Sequence, residues 1–284
     1  MYLFRAFVCV FAVLLIVGTL AAEIAYDQTV KTSLPMMGET EVKSTVYIKG
    51  EKEKTESLSK LNVPVPGMTQ SQEISTTVIA RLDKDLIWIV DESAKTYTEI
   101  GFSQVREMLE EVKEALPEEG KEKAAETPMK MEVTRLEERE KVGEYECERV
   151  RISMTFTQEE EGETFQMVSD VWLAEEKGLL KEIGDFNRKL EEISTREGGM
   201  MEGLSSVIPG GLEVMAKYQE KLKDVGGFPV LSEVVITTEE QEEPLMKLTT
   251  RVENIRKVKL EDSEFEIPEG YQKLGGETNP LRSN

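Results

Sequence analysis

The spacing of apolar positions changes period several times along the chain, and each change marks a change of predicted element. From residue 24 onward the period is close to two: Val42, Val46 and Ile48 fall on one side of a predicted strand over 40–49. Residues 24–34, 74–82, 86–90 and 95–100 carry β-branched and aromatic side chains in strand-like runs. Asp83-Lys84-Asp85 and Asp91-Glu92-Ser93-Ala94 have tight-turn composition, so this half reads as antiparallel hairpins rather than βαβ units. Pro64 and Pro66 remove ladder donors, and residues 61–68 are therefore predicted as a loop or an edge crossing.

The period then turns helical. Val105, Met108, Leu109, Val112 and Leu116 follow the spacing of one helix face over 103–116, Pro117 ends that helix, and residues 118–127 read as a charged linker. Strands resume over 129–136, 146–157 and 164–174. Two more helical stripes follow, Leu180, Ile183, Phe186, Leu190 and Ile193, then Leu212, Met215, Leu222 and Val225. Pro209-Gly210-Gly211 opens the second and Gly226-Gly227 closes it. Residues 229–238 and 245–258 complete about ten predicted strands. Strands before and after each helix look alike and no long linker divides them, so the pattern predicts one α+β domain over 23–284.

The N-terminus has another character. Arg5 is the one charged residue before Glu23, and the apolar run from Ala6 to Ala22 ends in small residues, the pattern of a secretory signal peptide over 1–22. An uncleaved N-terminal membrane anchor is the rival reading, because the run is at the short end of what spans a bilayer. Both readings place Arg5 on the cytoplasmic side and the rest of the chain outside it, periplasmic or otherwise extracytoplasmic.

Charge and missing chemistry narrow the function. With 56 acidic against 35 basic side chains the formal net charge is -21, which repels nucleic acid and anionic lipid surfaces. There is no histidine, which excludes a Ser-His-Asp triad, a Cys-His pair and a histidine-ligated metal. No nucleophile elbow, phosphate loop or dinucleotide fingerprint occurs, and no Asp-x-Asp-x-Asp-Gly calcium loop supports the acidic runs as metal ligands. The chain is read as a non-enzyme without cofactor. Cys9 lies within the apolar run, which leaves Cys147 without an intrachain partner once that run is removed. Glu146 and Glu148 flank it and disfavour a thiolate, so Cys147 is expected to be structural. Trp88 and Trp172 are expected in the core with Ile89 and Val171, and Gly50, Gly143 and Gly270 at turns needing positive φ.

Five local sequences occur in a characteristic order: Val46-Tyr-Ile-Lys-Gly50, Leu86-Ile-Trp-Ile-Val-Asp91 with Lys95-Thr-Tyr97, Val142-Gly-Glu-Tyr-Glu-Cys147, Val171-Trp-Leu-Ala174 and Phe265-Glu-Ile-Pro-Glu-Gly-Tyr271. Together they resemble an uncharacterised family of exported bacterial proteins related to the LolA/LolB-like lipoprotein-carrier superfamily. The resemblance implies an incomplete antiparallel β-barrel covered by amphipathic helices, with an apolar hollow that takes an acyl chain or lipid. Under it, the helix faces formed by Val105, Met108, Leu109, Val112, Leu116, Leu212, Met215 and Leu222 are expected to be shared between sheet and ligand. The alternative is an interaction protein, with an envelope protein as partner, whose barrel is filled by its own side chains. The long acidic insertion around Glu118 to Glu126 departs from a compact carrier.

Overall fold

The computed structural model describes residues 23–35, 38–65, 68–105, 107, 129–157, 163–194, 211–239 and 243–274, with the backbone alone at 61–65, 68–71, 211–216 and 219. The strands are β1 (Ile24–Leu34), β2 (Gly38–Lys49), β3 (Lys52–Val65), β4 (Met68–Arg81), β5 (Leu86–Asp91) and β6 (Thr96–Gly101), then β7 (Met129–Val142), β8 (Tyr145–Thr157) and β9 (Thr164–Ala174). Helices α1 (Leu179–Ser194) and α2 (Gly211–Val225) follow, and β10 (Phe228–Thr238), β11 (Met246–Lys257) and β12 (Gln272–Lys273) end the series.

Among the described residues all twelve strands join one open sheet in the order β12-β6-β5-β4-β3-β2-β1-β11-β10-β9-β8-β7. Every neighbouring pair is antiparallel except β12 and β6. The first six strands are successive hairpins; the turns between β4 and β5 and between β5 and β6 are those that the turn chemistry predicts. The link between halves is non-local: β1 pairs β11, with Gln28 opposite Val252 and Thr32 opposite Leu248.

The sheet has two more strands than the apolar pattern predicts. β12 is a two-residue parallel addition to the β6 edge. β3 is a full strand that the pattern misses, because Glu53, Thr55, Ser57 and Ser59 alternate with Lys54, Glu56, Leu58 and Lys60 and neither set is uniformly apolar. It also runs through Pro64, correcting the predicted interruption over 61–68. Pairing of β2 with β3 stops at Asn62, while β3 pairs β4 as far as Val65. Among the described residues β3 therefore has a partner on one edge only at Pro64, and a missing donor is tolerated there.

Cross-strand register assigns side chains to faces, because directly opposed residues share a face and successive residues alternate. One face carries both described helices. The stripe Leu180, Ile183 and Phe186 of α1 packs on Ile24, Tyr26, Val46, Ile48, Val230 and Val252. Tyr218 of α2 packs among Ile152, Met154, Met167, Val171 and Val234, and its hydroxyl is 2.8 Å from the Ser169 hydroxyl. Phe156 and Phe165 stack at the far end of this cluster with ring centroids 5.3 Å apart.

The opposite face is organised differently. Beyond β11 the chain crosses it to reach the β6 edge, laying Leu260 and Phe265 on Ile79, Trp88 and Val90. Lys49 donates to the Leu260 carbonyl at 2.6 Å, and the buried Arg81 donates to the Phe265 carbonyl at 3.1 Å. Trp88, Val171 and Trp172 are buried as expected, but Ile89 is 41% exposed. Neighbours in sequence alternate faces: Trp88 points under the C-terminal crossing and Ile89 to the helix-bearing side.

Candidate ligand-binding face

The helix-bearing face does not end where α1 ends. Register carries it from Ile48 on β2 to Glu53 on β3 and Ala80 on β4, and from Val46 to Thr55 and Val78. It continues from Val78 to Ile89 and Thr98, and from Ala80 to Ile87 and Ile100. Ile74, two positions further along the same side of β4, is 46% exposed. Val78, Ile87 and Ile100 are partly buried. On this face the helix-packed core gives way, across Glu53 and Thr55 of β3, to an apolar strip on β4–β6 that water reaches.

Two polar groups stand where the packed and open parts meet. Tyr26 is 6% exposed, and burial followed by the nearby Glu53 charge raises its phenol above the ordinary range. Glu53 is partly buried, and removal from water pushes its carboxyl up to about 7 against a hydrogen bond from Thr55, whose hydroxyl donates at 3.3 Å. Among the described residues no lysine or arginine forms an ion pair with Glu53, and the Tyr26 hydroxyl has no hydrogen-bond partner. The other deep carboxylates behave otherwise. Asp170, 8% exposed on the opposite face, is gripped at 2.7 Å by both Arg149 and Arg151, whose bonds hold it below the usual aspartate range.

A cleft of about 870 Å³ opens at the end of the sheet, between the start of α1 and the end of α2. Leu173, Ala174, Leu180 and Val225 give it an apolar floor, and glutamates 144, 146, 148, 175 and 176 dominate its rim. Gly226 and Gly227 end α2 here with φ of 73° and 83°, as the sequence predicts. A Cβ on Gly227 would stand 3.1 Å from Leu173 Cβ and 3.2 Å from the Ala174 carbonyl, so the helix closes this tightly against β9 only with glycine. Three of the rim glutamates are already paired: Glu148 with Arg135, Glu175 with Lys177 and Glu176 with Arg188.

Of the residues singled out from the sequence, Val105 is partly buried in the helical turn after β6, and Leu222 lies half-covered against the α2 core cluster. Leu212 and Met215 are on α2, but their side chains are outside the described residues, as are Met108, Leu109, Val112 and Leu116 entirely. The strip on β4–β6 and the Tyr26–Glu53 pair were missed. The strip's residues are legible as strand residues; the face each presents depends on strand partners the sequence does not name. Cys147 is fully buried, and burial raises its thiol further. Among the described residues no group of three or more Cys, Asp or Glu is placed to hold a metal, and no helix is long and apolar enough to cross a membrane.

A family model for a domain of unknown function, DUF4412, matches residues 29–271. No curated protein matches the sequence. Among solved structures, a LolA superfamily protein from Nitrosomonas europaea aligns over 87% of this chain and 90% of its own, at 7% identity and a TM-score of 0.27.

Proposed function

The chain belongs to the DUF4412 family, a domain of unknown function, and from that premise we propose that it is an exported, non-catalytic binding or carrier module for a hydrophobic ligand. The observation that carries this reading is the apolar strip of Val78, Ile87, Ile89 and Ile100, on the same face as the α1-covered core and open to water at Ile89. An alkyl chain laid along it removes apolar surface from water without displacing packed side chains. Each buried methylene contributes about 0.8 kcal/mol, so a partly enclosed chain reaches micromolar affinity. The lack of histidine and of any catalytic motif supports a role without chemistry. Export rests on the signal pattern of residues 1–22.

The test is organic extraction of protein purified from its native envelope without detergent, followed by mass spectrometry of the extract and of the intact chain. A co-purifying lipid or acyl compound at near-stoichiometric amount, on a chain lacking residues 1–22, is expected. An extract with no such compound, together with no saturable binding of an alkyl probe, favours the second reading, an interaction protein with a self-filled interior. That reading has its own support: Val150, Ile152 and Met154 beneath α2 are fully buried, and Tyr218 is nearly so.

A further inference from the structure

Glu53 is placed where an acidic side chain has least reason to be. Its cross-strand neighbours are Ile48 and Ala80, and the next row holds Val46, Thr55 and Val78. From β1 the titratable group facing it is Tyr26; β2 and β4 present only apolar side chains in its row; from α1, Lys189 reaches Glu51 at 3.4 Å instead. Neighbouring acids on the same strands are paired, Glu56 with Lys54 and Glu41 with Lys31. Among the described residues Glu53 has no cation and the Thr55 hydroxyl as its hydrogen-bond donor; with the Tyr26 phenol nearby and an open apolar strip beside it, it forms an acceptor site for something outside the chain. Desolvation of such groups is unfavourable until a ligand donor satisfies them.

We propose that the hydrophobic ligand carries a cationic, amine-type head group, and that Glu53 receives it with Tyr26 and Thr55 as hydrogen-bonding neighbours while its alkyl chain lies on the β4–β6 strip. This rests on the carrier reading above and names the ligand class for that face. Charge complementarity selects the head group: the chain's net charge of -21 attracts cations over distance, and at the site an ionised Glu53 lacks only a counter-ion. A carboxylate-headed ligand would meet repulsion in both places.

The experiment is calorimetric titration of the full chain with dodecylammonium and with dodecanoate, each below its micellar range, at about pH 6 and about pH 8, on either side of the Glu53 titration. The amine is expected to bind saturably and roughly tenfold more tightly at the higher pH, where Glu53 is ionised. Glu53→Gln is expected to remove that pH dependence and most of the preference for the amine. Tyr26→Phe, which leaves the ring in its packing, is the second variant, expected to weaken the amine several-fold; should Glu53→Gln not fold, its result decides. Equal binding of both amphiphiles with no effect of either variant overturns the head-group inference and leaves the carrier reading standing. Binding of neither overturns both.

Discussion

At the level of single residues, what distinguishes the two faces is how each treats a buried carboxylate. Asp170 is stabilised by Arg151 first and then Arg149, against the cost of burial, and its pKa is lowered. A depressed folded-state pKa contributes stability above the unfolded value of about 3.9, lost as pH falls through the folded one. Asp170→Asn is therefore expected to lower stability by about 2–3 kcal/mol near neutrality, less than a fully buried pair because Arg151 is partly exposed, with the difference vanishing in strong acid. Urea unfolding of both proteins at neutral and acid pH checks this. Glu53 has the opposite sign. Its pKa rises to about 7, so the ionised form is penalised above that pH and the penalty is relieved as pH falls toward the ordinary carboxylate value. Glu53→Gln is expected to stabilise the ligand-free chain by about 1–3 kcal/mol at about pH 8 and to be near neutral at about pH 5, read from the same unfolding curves. A substitution that stabilises the empty protein while weakening amine binding would separate a functional strain from a packing role. Cys147, buried with its thiol directed at the Tyr145 carbonyl 3.6 Å away, is expected to resist alkylation in the folded chain and to react once it is unfolded.

At the level of elements, the C-terminal crossing is the piece whose removal should cost most. Phe265 is fully buried against Ile79, Trp88 and Val90, and the Lys49 and Arg81 bonds to this segment's carbonyls tie it down. Phe265→Ala is expected to cost about 3–5 kcal/mol and to shift Trp88 emission to the red, measured by thermal unfolding and fluorescence. The apolar periodicity made α1 and α2 legible: Leu180, Ile183 and Phe186 fall on one face and are buried together, and Gly226-Gly227 ends α2 where predicted. Gly50, Gly143 and Gly270 take positive φ, as their turn positions require. β3 was not legible, since its strand state comes from pairing on both sides rather than from its own apolar pattern. The same gap hid the candidate site. Glu53 lies on that unread strand, and only the register between β1, β2 and β3 brings it beside Tyr26.

At the level of the whole molecule, local pattern predicted antiparallel hairpins and helices among strands, and the structure has both. The pairing of β1 with β11 and the wrapping of the C-terminus to β6 are decided by contacts between residues far apart in the chain, such as Gln28 with Val252 and Gln272 with Thr96, for which no local signal exists. Those long-range pairings are what join a packed, helix-covered half to a half whose apolar strip stays open. The central claim is that this open strip holds an alkyl chain, and the most direct test uses Ile89, exposed and therefore replaceable without unfolding the sheet. Equilibrium titration of the wild-type chain and of Ile89→Glu with a fluorescent alkyl probe should show saturable binding of one probe per wild-type chain, weakened at least tenfold in the variant while its melting temperature is little changed. Equal binding by both proteins, or no saturable binding by the wild type, would contradict the claim.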